Sequence, residues 1–290
     1  MAAAERITDR LVGHGEGPCW SPTWGGLRFV DLNEGDIVTL GADGSTSRKH
    51  YGDIVAITRP RVGGGAVVAV ERGIVLEDAD GELTRLPELW GPRVRIRMNE
   101  GGCDPDGRFY AGNMAYDQAD GKGEGRGAVF RLDADRNVEV VVEHVTISNG
   151  LGWSPDGMLA YYNDTATGRT DVFDYSRDAG LTNRRPFAQV NDESGTNRPD
   201  GLCVDAEGGV WMGLFGGSAV RRYAPDGTLD AVVEVGARQV TACTFGGEDY
   251  SELFITTSRE GLEDDDDPAA GSIFRFVPGV KGMPALPYAG

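Results

Sequence analysis

The chain has 290 residues, 44 of them glycine, and 46 acidic against 28 basic side chains give a formal net charge of −18. That charge repels phosphate backbones and anionic bilayers, so nucleic acid and membranes are excluded as partners. No apolar run is long enough to span a bilayer, and residues 1–11 lack the apolar core of a signal peptide.

In chain order, short hydrophobic strands alternate with two interleaved sets of turns. The first set is Ser21-Pro22, Gly63-Gly64-Gly65, Asp104-Pro105-Asp106-Gly107, Ser154-Pro155-Asp156-Gly157, Asp205-Ala206-Glu207-Gly208 and Gly246-Gly247-Glu248-Asp249. The second is Asp43-Gly44, Asp80-Gly81, residues 133–137, residues 177–180, Asp226-Gly227 and the acidic run 263–267. Pro, Asp and Gly suit tight hairpins for separate steric reasons. Residues 108–112, 159–162 and 210–213 follow the first kind of turn, and their β-branched and aromatic content reads as strand. A spacing of roughly 40–50 residues with two turns per unit gives about four strands per repeat. The expected fold is all-β: one domain over 1–290, a six-bladed β-propeller with four antiparallel strands per blade. Residues 6–12 are expected to pair with 273–276 and close the ring, because an open edge invites a partner strand.

Aligned on the first set of turns, the repeats share a register. Four residues before Trp20, Cys103, Trp153, Val204 and Phe245 stand Glu16, Asn99, Asn149, Asp200 and Thr241, each with a side-chain oxygen. The first strand of each propeller blade lines the central channel, so these positions converge on the axis at one height. Such a ring of carboxylate and amide oxygens suits a hard divalent cation. Glu16 and Asp200 balance its charge and Asn149 adds a neutral oxygen. Gly17, Gly101, Gly150 and Gly201 let the chain approach closely. Water-filled channels are also lined by polar residues, and the shared register is what favours a site. The four cysteines, Cys19, Cys103, Cys203 and Cys243, show no CxxC spacing and read as reduced, buried thiols of a cytoplasmic protein. Three histidines argue against a His-rich zinc centre.

Gly15-Glu16-Gly17-Pro18, residues 99–112, Asn149-Gly150-Leu151-Gly152-Trp153-Ser154 and Pro199-Asp200-Gly201-Leu202 resemble the regucalcin–gluconolactonase family. The tail is similar too, in residues 257–262 and 278–282. The resemblance covers nearly the whole chain and implies a metal-dependent lactonase with one divalent ion: calcium, zinc, magnesium or manganese. It implies Glu16, Asn149 and Asp200 as metal ligands and Asp200 as catalytic acid/base. It further implies Arg97 and Asn99 as substrate-binding residues. Some members carry a substrate-contacting Glu before the strand at Gly127-Ala128; Glu124 is near but out of register, and residues 118–126 read as a mobile rim loop. The expected partner is a small lactone, with a monomer as the default state. Lactone hydrolysis needs an activated water and charge stabilisation at the carbonyl, and no Gly-x-Ser-x-Gly elbow offers a serine route. A phosphotriesterase using the same ligands is the rival enzyme, to be distinguished by aromatic pocket walls. A non-enzymatic binding propeller is the other rival.

Overall fold

The computed structural model describes residues 2–191, 195–263 and 265–290. Six sheets of antiparallel strands stand in a ring. Blade one runs Gly15–Ser21, Gly26–Asp31, Asp36–Gly41, Thr46–His50, and the next four repeat this order. The first strands of blades two to six are Val55–Pro60, Ile96–Cys103, Ser148–Trp153, Arg198–Val204 and Val240–Gly246. Each of the six first strands packs against the next, and the sixth against the first, so they form the closed inner wall. The six-bladed propeller expected from the turn spacing is the observed fold. No helix among the described residues is long and apolar enough to cross a membrane.

The N-terminus closes the ring. Glu5–Arg6 is the outer strand of blade six, antiparallel to Phe274–Phe276, with Glu5 opposite Arg275 and Arg6 opposite Phe274. The preceding Ala2–Ala3 runs parallel to Leu229–Glu234 on the rim of blade five. The expected pairing therefore holds, but its strand ends at Arg6. Beyond it the chain keeps to the same neighbour through Ile7 N to Ile273 O and Leu11 N to Gly271 O, both 2.9 Å. This closure also corrects one turn. The run 263–267 does not join a third to a fourth strand, as Asp43-Gly44 does; it lies between Glu252–Thr257 and Phe274–Phe276. Blade six needs no such turn because its fourth strand comes from the other end of the chain. Asp264 of that run lies outside the described residues.

Buried carboxylates hold the turns at one end of the ring. Asp205 is fully buried and accepts hydrogen bonds from the backbone of Glu207 and Gly209, from Trp211 Nε1 and from Arg222 Nε, all at 2.8–2.9 Å. Asp104 does the same for Asp106, Arg108 and Tyr110. Large aromatics fill the space between blades; Tyr110 lies against Trp153, and Trp153 meets Tyr175 edge-on.

Candidate functional site

Every inner strand carries a β-bulge at the same level. Ladder pairing slips between Glu16 and Cys19, Val55 and Ile57, Met98 and Glu100, Ser148 and Leu151, Pro199 and Leu202, and Val240 and Ala242. A bulge leaves residues unpaired and re-aims their side chains. Asn99, Asn149, Asp200 and Thr241 fall inside the slips, Glu16 falls at the edge of one, and Ala56 holds the place in blade two. Gly150 and Gly201 make the slip possible. A β-carbon on Gly150 would sit 2.5 Å from Leu202 N, and one on Gly201 would sit 2.4 Å from the Ala242 β-carbon.

Two aspartates set where the strands begin. Asp31 Oδ1 accepts from the backbone N–H of Gly13 and His14, both 3.1 Å, two residues ahead of Glu16. Asp164 does likewise for Thr146 and Ile147 at 3.0 and 2.9 Å, ahead of Asn149.

The result is a cavity of about 320 Å³ at the mouth of the channel, lined by Glu16, Arg97, Asn99, Asn149 and Asp200 together. All five are buried. Hydrogen bonding separates the two asparagines. The Thr165 hydroxyl donates to Pro199 O at 2.8 Å, so it can only accept from Asn149 Nδ2, 3.0 Å away. The amide nitrogen is thereby fixed, and Asn149 Oδ1 is left buried without a donor. Asn99 is oriented the other way. Its Nδ2 donates to Ser148 O at 2.8 Å, and its Oδ1 accepts from Arg97 Nη1 at 2.6 Å. Asn149 thus presents an oxygen, whereas Asn99 keeps a spare N–H.

Charge is unbalanced in this cavity. Burial first, and then the neighbouring Glu16 and Glu100, push the Asp200 carboxyl well above the carboxylate range. Burial also lowers the Arg97 guanidinium. His14 Nδ1 meets Ser258 Oγ at 2.7 Å, and His14 Nε2 stands 3.6 Å from Glu16 Oε1. Among the described residues no three His, Cys, Asp or Glu side chains form a ligating cluster. A cation here would rest on two carboxylates and one amide oxygen, with water or substrate completing its shell. The orphaned Asn149 oxygen and the crowded carboxylates fit such an ion.

Thr241 shares the register but not the cavity. Its hydroxyl donates to Gly15 O at 2.5 Å and meets Thr256 Oγ1 at 2.8 Å, which ties blade six to blade one. Glu124 is exposed and does not line the cavity; Gln118 does. Residues 119–126 form a succession of hydrogen-bonded turns, anchored by Gly125 N to Thr146 Oγ1 at 3.1 Å. The rim residues Asn33, Tyr116, Phe215 and Glu260 were not singled out from the sequence. Asn33, Tyr116 and Glu260 follow the second strand of their blades, and Phe215 ends its own. The recurrent turns Leu32-Asn33-Glu34-Gly35 and Thr165-Ala166-Thr167-Gly168, each ending on a left-handed glycine, were the available signal.

Residues 14–259 match the family described as SMP-30/Gluconolactonase/LRE-like region. Regucalcin of Sus scrofa is 35% identical over 285 residues, covering 95% of each chain, and regucalcin of Homo sapiens is 33% identical over the same length. Among solved structures, a luciferin-regenerating enzyme superposes with a TM-score of 0.90 at 27% identity, covering 100% of both chains. A calcium-binding protein, regucalcin, from Agrobacterium tumefaciens superposes with a TM-score of 0.89, also at 27% identity and full coverage. With the match spanning the inner-strand residues that line the cavity, the chain belongs to the SMP-30/gluconolactonase/LRE-like family.

Proposed function

We propose that the protein is a divalent-metal-dependent hydrolase that opens the ring of a small sugar lactone, its metal held by Glu16, Asn149 and Asp200. The observation that carries this reading is Asn149 Oδ1, a buried oxygen without a donor beside two buried carboxylates. An orphaned buried acceptor costs about 1–3 kcal/mol. A hard cation satisfies it and offsets the repulsion between Glu16 and Asp200 at once. The all-oxygen donor set suits calcium, magnesium or manganese, and zinc also accepts oxygen ligands. The Agrobacterium relative is described as calcium-binding, which supports calcium first.

When bound, the ion supplies a Lewis acid that polarises the lactone carbonyl and acidifies water. The chain's own residues do the rest. Asp200 in its ionised form would take the proton of the attacking water on a carboxylate oxygen. Arg97 is a buried cation facing the cavity, and it offsets charge that develops on substrate oxygen as the ring opens. The spare N–H of Asn99 donates to a second substrate oxygen. His14, Asn33, Gln118 and Glu260 surround the mouth with further polar partners. That lining suits a polyhydroxylated lactone; an aryl phosphotriester asks for aromatic walls, and among the described residues only Tyr116 and Phe215 supply any.

The test is hydrolysis of glucono-1,5-lactone and a panel of sugar lactones by chelator-treated protein, with each divalent ion restored in turn. Turnover that returns with metal is the expected result. A tightly bound metal with no turnover on any lactone would overturn the substrate class.

A further inference from the structure

The four cysteines of the chain, scattered over more than 200 positions of sequence, all line one small chamber. Its volume is about 120 Å³, and it lies at the turn end of the inner strands, away from the candidate site. Met283, Pro284, Ala285 and Leu286 close it from below, and this tail is pinned by Gly282 N to Tyr250 O and by Tyr288 N to Pro60 O, both 2.8 Å. Within the chamber the Sγ atoms of Cys203 and Cys243 are 3.7 Å apart. They sit on the inner strands of blades five and six, opposite Trp211 and Ile255 in their ladders. Cys19 instead directs its sulfur toward the Trp20 carbonyl at 4.0 Å.

We infer that Cys203 and Cys243 are an oxidation site, closing to a reversible disulfide that staples blade five to blade six. The pair needs only about 1.7 Å of approach to reach bonding distance, within reach of side-chain rotation. Both residues lie on neighbouring inner strands that already pack together. Cys203 is half-buried and Cys243 buried, which assigns their order. The Cys203 thiolate attacks one oxygen of hydrogen peroxide, the O–O bond breaks, and hydroxide leaves and takes up a proton. The resulting sulfenic acid is attacked by Cys243; the S–O bond breaks, and a second water departs as the S–S bond forms. Two thiols lose two electrons and two protons, and one peroxide becomes two waters. Burial raises the Cys203 thiol, so the thiolate is scarce and the reaction is slow.

The experiment incubates the full-length protein with hydrogen peroxide for hours, blocks remaining thiols with iodoacetamide under denaturing conditions, and maps peptides without reduction. Expected is one cross-linked peptide pair joining Cys203 to Cys243, with Cys19 and Cys103 alkylated, and full reversal by dithiothreitol. Closing a loop of this length should raise Tm by about 5 °C. Cys243→Ser should leave a dimedone-reactive sulfenic acid at Cys203; should that variant fail to fold, the wild-type map stands alone. Sulfinic or sulfonic acid at Cys203 without a cross-link, a cross-link involving Cys19 or Cys103, or a lowered Tm on oxidation would each overturn the inference.

Discussion

Replacing Asn149 with Ala separates a ligand from a structural amide. In the metal-free protein the substitution removes the Nδ2 hydrogen bond to Thr165, worth about 0.5–1.5 kcal/mol. It also removes the orphaned Oδ1, whose burial costs about 1–3 kcal/mol. The Thr165 hydroxyl keeps its own bond to Pro199 O, so that partner is not stranded as a donor. The two effects oppose each other, and chelator-treated N149A should lie within about 1 kcal/mol of wild type. Adding metal should then divide the proteins. A ligand present at a hundred times its dissociation constant stabilises the native state by about 2.7 kcal/mol. Wild type should gain that and N149A should lose most of it, because one of three protein donors is gone. Urea denaturation of both proteins, with chelator and with excess calcium, measures all four stabilities. An equal gain from calcium in both proteins would refute Asn149 as a ligand. A loss of several kcal/mol in chelator would refute the bookkeeping of the orphaned oxygen.

Asp200→Ala should abolish lactone turnover while the far-ultraviolet dichroism stays that of wild type; retention of most activity would remove Asp200 from the proton transfer. Arg97→Lys keeps the charge but loses the planar guanidinium whose Nη1 donates to both Asn99 Oδ1 and Met98 O. It should lower kcat/KM by about 10–100-fold, the equivalent of one charge-assisted hydrogen bond, and steady-state kinetics would show it. Glu100 supplies the pH test. Burial lifts its carboxyl from 4.5 to about 7, against the nearby Arg59. Between those values the unfolded chain is ionised and the folded chain keeps the proton. Its stabilising contribution is full below about pH 4.5 and is lost as pH rises toward 7, by up to roughly 3 kcal/mol. Glu100→Gln should remove that slope and be the more stable protein at pH 7 in chelator; parallel stability–pH curves would count against the buried proton.

What the sequence disclosed followed from repetition. Turn residues recur because hairpin geometry demands them in every blade, so blade number, strand count and the common level of Glu16, Asn99, Asn149 and Asp200 could be counted. What it withheld depends on neighbours from other blades. Thr241 has the same register as Asp200, but Gly15 O and Thr256 take up its hydroxyl, and both come from outside its own strand. The orientation of Asn149 depends on Pro199 in the next blade, reached through Thr165. Asp43-Gly44 and the run 263–267 look alike as acidic turns, yet ring closure by Glu5–Arg6 gives the latter a different place.

The bulges explain how a repeated unit yields an unrepeated site. A regular antiparallel ladder alternates side chains strictly between its two faces, so each inner strand would offer the channel only every second residue. One slip per strand, at one level in all six blades, frees that level from the alternation. The residue placed there is then free of ladder duties and can differ from blade to blade. Blade two uses Ala56, which contributes no polar atom, and blade six uses Thr241 as a fastener. Blades one, four and five supply two carboxylates and an oriented amide oxygen, and blade three supplies Asn99 with Arg97 beside it. The backbone cost of a slip is kept low by Gly150 and Gly201, where any β-carbon would collide with the adjacent inner strand. Charge follows the same division: Glu16 and Asp200 stand on blades one and five, Arg198 on the Asp200 strand offsets only part of their buried repulsion, and a divalent cation would relieve the rest.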